Sequence, residues 1–231
     1  MLLPQRNFER VAHRGAKREF TENTLPAFER ALERGADALE LDVHASADGV
    51  VVVHHDPTLG RDVVGAAPGS RLDAMTWGEL QGVELSPGIT MPSLAQVLDL
   101  VGGRAIVYVE LKGPSVEEAV IEVIRRSATI CHVHSFDHEA IARAATLAPD
   151  IPRGLLYDDH SIDRAVPTMQ AVGATTLWPE WRLVDRPLVE RVRAIGGRVI
   201  AWTVNTRANA VRLLEGGVYG LCSDDVRLLA E

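Results

Sequence analysis

Residues 105–126 run Ala105-Ile106-Val107-Tyr108-Val109-Glu110-Leu111-Lys112, then Gly113-Pro114, then Ser115-Val116-Glu117-Glu118-Ala119-Val120-Ile121-Glu122-Val123-Ile124-Arg125-Arg126. The first part is a short β-branched apolar run, which predicts a strand, and two charges break it at its end. In the last part Val116, Ala119, Val120, Val123 and Ile124 recur at the helical period. Pro114-Ser115 opens that helix, and Glu117 and Glu118 in its first turn suit the helix dipole. One strand, one tight turn and one helix make a βα unit.

The same scheme extends in both directions. Strand-like runs lie at Arg10–His13, Ala38–Val43, Val50–His54, Thr129–His134, Pro152–Tyr157, Thr175–Trp178, Arg198–Trp202 and Tyr219–Cys222. Helical patterns follow at Thr24–Arg34, Asp137–Leu147, Ser161–Val172, Arg186–Ile195 and Thr206–Glu215, the last two stopped by Gly196-Gly197 and Gly216-Gly217. This alternation predicts a parallel sheet with crossover helices. About eight such units predict closure into a (β/α)8 TIM barrel of about 250 residues, filled by one domain spanning 1–231. No G-x-G-x-x-G follows any strand, which argues against a dinucleotide fold. Residues at about 57–92 lack periodicity. They read as a small insertion after strand 2 that covers the barrel mouth and helps set the leaving group.

Bulk properties narrow the function. The net charge is −8, so no basic surface invites nucleic acid, and an anionic substrate needs locally placed positive charge. Cys131 and Cys222 sit in apolar runs and read as buried thiols. Met1–Arg10 has no apolar stretch of leader type, and no run reaches membrane-spanning length. The expectation is a cytoplasmic protein without stable membrane association. Its oligomeric state is open.

Barrel chemistry gathers at strand C-termini. Glu40 and Asp42, two apart on a strand, share a face, and Glu110 ends the neighbouring strand. Like charges this close call for a cation, and three carboxylates without cysteine favour Mg2+ or Ca2+. Arg14 offers a bidentate fork to phosphate. Lys112 shares the face of Glu110 and is one of two lysines in an arginine-rich chain, which suggests a compact point charge. His13 and His55 are the candidate proton-transfer pair. His44 and His54 are expected to face helices or solvent. Trp178, Trp181 and Trp202 are candidates for an apolar pocket wall.

The stretch Val11–Arg61 resembles the glycerophosphodiester phosphodiesterase family. The shared residues are His13-Arg14-Gly15, Glu22-Asn23-Thr24, Gly35-Ala36-Asp37, Glu40-Leu41-Asp42-Val43, Asp48-Gly49 and His55-Asp56. Glu110-Leu111-Lys112, Ser135-Phe136-Asp137, Trp202-Thr203-Val204-Asn205 and Ser223-Asp224 follow in order, so the likeness covers nearly the whole chain. Thr21, Tyr219 and Ser223 depart from the family's common residues without touching a proposed site group. The resemblance implies metal-dependent hydrolysis of glycerophosphodiesters to an alcohol and sn-glycerol 3-phosphate. It makes Glu40, Asp42 and Glu110 metal ligands, His13 and His55 the acid–base pair, and Arg14 and Lys112 phosphate contacts. The residues leave open which histidine is the acid, and whether water or the substrate's own hydroxyl attacks phosphorus. A lysophospholipid substrate, an aldolase-like barrel with Lys112 as Schiff-base nucleophile and a non-enzymatic metal or phosphate binder are the competing readings.

Overall fold

The computed structural model describes residues 8–61 and 63–229, so positions 1–7 of the stretch read as leaderless lie outside the described residues. Eight parallel strands form the staves: β1 (Glu9–His13), β2 (Ala38–Ala45), β6 (Ile106–Leu111), β7 (Cys131–Ser135), β8 (Arg153–Tyr157), β9 (Thr176–Pro179), β10 (Arg198–Ala201) and β11 (Gly220–Ser223). Each pairs with the next, and β1 also pairs with β11, which closes the barrel. Helices α1 (Leu25–Glu33), α3 (Leu94–Val101), α4 (Glu117–Arg125), α5 (His138–Leu147), α6 (Ala165–Val172), α7 (Arg186–Ala194) and α8 (Arg207–Glu215) connect successive staves. Asp137, Asp185 and Thr206 cap α5, α7 and α8 by accepting from first-turn amides.

Alternation along each strand divides the apolar residues into two cores. Leu39, Leu41, Val43, Val107, Val109 and Leu111 face the helices. Val11, Ala38, Tyr108, Leu156, Trp178, Ile200 and Cys222 fill the barrel. Burying one large apolar side chain of this kind contributes about 1.5–3 kcal/mol. Gly154 makes room for Trp178. A Cβ there would meet Trp178 Cδ1 at 2.9 Å and Thr176 Oγ1 at 2.5 Å. At the barrel floor the Tyr108 hydroxyl donates to Glu9 Oε1 at 2.7 Å, so neither buried polar group is left unpaired. Cys131 and Cys222 are buried free thiols, as expected.

The strand-like run Val50–His54 does not add a parallel stave. It forms β3 (Val51–Val53), which pairs antiparallel with β2 (Val43↔Val53) and is a return strand outside the barrel. The cause is a tight turn at Asp48-Gly49. Gly49 has φ 81°, its amide donates to Ser46 O, and the Val50 amide donates to Ser46 Oγ. The reversal brings the chain back, and the His54 amide donates to Asp42 O at 3.0 Å. His55 therefore arrives at the mouth.

Residues 57–92 hold α2 (Trp77–Leu80) and the hairpin of β4 (Glu84–Ser86) and β5 (Ile89–Thr90). Leu59, Leu72, Leu80, Val83 and Met91 pack with Val52 into a separate small core. Among the described residues, none of this segment lines the central cavity. Its apolar residues are spent on its own core, and the cavity wall comes from β7 to β10 instead.

Candidate active site

Counting in steps of two from the barrel-filling layer reaches the mouth on six of the staves. Val11 leads to His13, Ala38 to Glu40 and Asp42, Tyr108 to Glu110 and Lys112. On the far side Leu156 leads to Asp158, Ile200 to Trp202 and Cys222 to Asp224. Strand register sets the neighbours: His13 stands beside Glu40, Asp42 beside Glu110, and Glu110 beside His134. His13, Arg14, Glu40, His55, Glu110, Lys112, Trp178 and Trp202 line one cavity of about 240 Å³, with Asp42 behind them, fully buried. Trp181 is absent from that lining. It lies in the turn after β9, where Arg182 and Arg212 stack on its ring, because the strand has ended and its alternation no longer holds.

Glu40, Asp42 and Glu110 each place a ligand atom within 4.8 Å of the others, and all three are buried. Asp42 Oδ1 is buried without a hydrogen-bond donor, a costly state for a carboxylate oxygen. Burial and the neighbouring Asp42 charge push both Glu40 and Glu110 up to about 7. Burial also pushes Asp42 up, but Arg14, Asn23 and Lys112 outweigh it and hold Asp42 below its ordinary value. One ionised carboxylate thus forces its neighbours toward the protonated form. Hard oxygen donors, mutual repulsion and an orphaned oxygen together fit a divalent cation.

Two left-handed residues aim the positive charge. Arg14 has φ 56° and Gly15 φ 81°, and a Cβ on Gly15 would meet the Ala27 backbone at 2.8 Å. The turn directs the Arg14 amide to Glu40 Oε2 (3.3 Å) and its Nε to Asp42 Oδ2 (3.0 Å). Lys112 Nζ lies 3.2 Å from Glu110 Oε1 and 3.7 Å from Asp42 Oδ1. That ion-paired setting is the opposite of the apolar pocket a Schiff-base lysine needs. Asn23, fully buried with φ 58°, donates to Asp42 Oδ2 at 2.8 Å and fixes that carboxylate.

The two histidines share one arrangement. His13 Nδ1 is 2.6 Å from Asp224 Oδ1, and His55 Nδ1 is 2.7 Å from Asp56 Oδ1. Each aspartate engages Nδ1 and leaves Nε2 for the cavity. In His13 that nitrogen stands 4.0 Å from Glu40 Oε2. Burial pushes Asp224 up, but His13, Lys17 and Asn205 outweigh it and hold the carboxyl well below its ordinary value. Asn205 Nδ2 donates to Asp224 Oδ2 at 2.7 Å and holds it in place. His44, expected to face away, is buried and lies 3.1 Å from the His55 carbonyl, within hydrogen-bond reach of it.

The residue pattern from position 13 to 228 matches the model of the glycerophosphoryl diester phosphodiesterase family. The chain belongs to that family. As a glycerophosphoryl diester phosphodiesterase it is a phosphoric diester hydrolase. A glycerophosphodiester phosphodiesterase of Caldanaerobacter subterraneus is 31% identical over 95% of each chain. One from Bacillus subtilis is 30% identical over 91% of this chain and 81% of its own. The solved glycerophosphodiester phosphodiesterase of Agrobacterium tumefaciens superimposes with TM-score 0.85 at 28% identity, covering 96% of this chain and 99% of that one. The Thermotoga maritima enzyme superimposes with TM-score 0.84 at 27% identity, covering 98% of each.

Sequence reasoning assigned no role to Asp56, Asp224 or His134. Asp56 adjoins His55, so its part could have been read from adjacency. His134 lies two residues beyond His132 on an inward face. It is buried, burial lowers it to about 4, and neither ring nitrogen has a hydrogen-bond partner. It is therefore a neutral imidazole, with Nε2 3.6 Å from Glu40 Oε1.

Proposed function

We propose that the protein hydrolyses glycerophosphodiesters to an alcohol and sn-glycerol 3-phosphate at the mouth of the barrel. The observation that carries this reading is the convergence of three carboxylates, two cations and two aspartate-oriented histidines on one cavity. Glu40, Asp42 and Glu110 would hold one divalent cation, Mg2+ or Ca2+. Such an ion, when bound, supplies Lewis-acid polarisation of a phosphate oxygen. Arg14 and Lys112 offset charge as it builds on phosphorus. One histidine accepts a proton from the nucleophile and the other returns one to the departing alcohol. His13 and His55 both line the cavity that would hold the phosphate. The net charge of −8 and the two unpaired thiols favour a cytoplasmic protein without a nucleic-acid partner. No described helix is long and apolar enough to cross a membrane.

The test is turnover of a glycerophosphodiester panel by EDTA-stripped protein with Mg2+, Ca2+ or neither. Release of sn-glycerol 3-phosphate only with a divalent ion is expected. Full activity in EDTA, or release of a phosphorylated alcohol with free glycerol, contradicts the reading.

Asp224 is assigned as the positioning residue of His13. Asp224→Asn keeps the shape but loses the charge-assisted bond to Nδ1. It is expected to lower kcat roughly 10²-fold, the low end of general acid–base contributions, with KM changed less than about twofold. Equal losses in KM and in thermal stability would instead assign Asp224 a purely structural part.

A further inference from the structure

We infer that the alcohol end of the cavity selects an alcohol carrying a positive charge, with Asp158 as the specificity-determining carboxylate and Phe136 and Trp202 as its aromatic cradle. The inference rests on the phosphodiesterase reading above and names its leaving group. The cavity is polarised. Arg14, just after β1, and Lys112, just after β6, are ion-paired with the carboxylate cluster. The other wall, from β7, β8 and β10, presents Phe136, Asp158 and Trp202 and no arginine or lysine. Asp158 continues the inward alternation of Leu156, which also lines the cavity. It is exposed, and among the described residues no ion pair or hydrogen bond engages its carboxylate. Its neighbour Asp159 is committed elsewhere, accepting from the Ser161 amide at 2.8 Å. On the elements flanking β8, His138 is 3.1 Å from the Leu156 carbonyl and Glu180 is paired with Arg182.

Phe136 and Trp202 meet edge to face at 5.5 Å, and Phe136 is 39% exposed although it lines the cavity. The Trp202 indole is fixed by donation to the Trp178 carbonyl at 2.9 Å. Aromatic faces beside an unpaired carboxylate attract an ammonium group through ring quadrupole and charge together. A substrate with phosphate at one end and an ammonium at the other matches both ends of this cavity. A neutral polyol matches only the first.

The experiment compares kcat/KM for glycerophosphocholine, glycerophosphoethanolamine and glycerophosphoglycerol in the wild type and in Asp158→Asn, with saturating divalent ion. The wild type is expected to favour the two cationic esters by about tenfold or more, and the preference should shrink with added salt because the carboxylate is exposed. Asp158→Asn should lose about tenfold on the cationic esters and change the neutral ester less than about twofold. An unchanged ratio between wild type and variant, or a wild-type preference for the neutral ester, overturns the inference while leaving the phosphodiesterase reading intact. No turnover of any of the three overturns both.

Discussion

His13→Ala and His55→Ala are each expected to lose at least about 10²-fold in kcat, because general acid–base groups contribute roughly 10²–10⁴-fold. The expectation rests on orientation as much as on residue type. Each imidazole is bound at Nδ1 by an aspartate at 2.6–2.7 Å, which leaves Nε2 as the working nitrogen. The fold should survive both changes. His55 is a third exposed, and His13 is a mouth residue above the barrel-filling core. Thermal unfolding should therefore move by no more than a few degrees. The leaving group separates the two roles. A p-nitrophenyl ester departs without protonation, so the variant lacking the acid recovers most of its rate on that substrate. The variant lacking the base does not. Near-normal turnover of an alkyl ester by either variant contradicts the dyad.

The second large effect concerns the carboxylates, and its sign depends on whether a cation is bound. Burial and Asp42 raise Glu40 to about 7 from an ordinary value near 4.5. The folded, metal-free protein therefore binds more protons than the unfolded chain between those two values. Its stability falls as pH rises through that window and stays low above it. Glu40→Gln removes this cost. At pH 8 without metal the variant should be more stable than the wild type by on the order of 1–3 kcal/mol, and at pH 4 the difference should vanish. A saturating divalent ion should reverse the order, since it stabilises only a protein that can hold it. The same linkage makes wild-type cation affinity fall as pH drops below about 7, because the ion must displace protons. Activity of Glu40→Gln, Asp42→Asn and Glu110→Gln should fall at least about 10²-fold, the scale of removing one transition-state charge contact. Calorimetric titration, unfolding scans at pH 4 and 8, and turnover read the three effects separately. Wild-type-like cation binding by Asp42→Asn would be incompatible with the cluster.

Much of the site was legible because strand alternation is strict. Glu40 with Asp42, and Glu110 with Lys112, could be placed on one face from spacing alone, and their strands prove adjacent. Contacts that depend on closure were not legible. Asp224 reaches His13 across 211 positions only because the last stave pairs with the first. The reversal at β3 carried its signal in Asp48-Gly49, yet Val50–His54 has the composition of a buried stave, and composition does not report direction. In the segment 57–92 the aliphatic residues close on one another and on Val52, which only tertiary packing reveals.

The most direct test of the central claim is anomalous diffraction from crystals of the protein soaked in Mn2+ as a probe for the divalent site. The account predicts one strong peak at coordinating distance, about 2.0–2.6 Å, from oxygens of Glu40, Asp42 and Glu110 together. At saturating Mn2+, a peak elsewhere, or none at the mouth of the barrel, would contradict it.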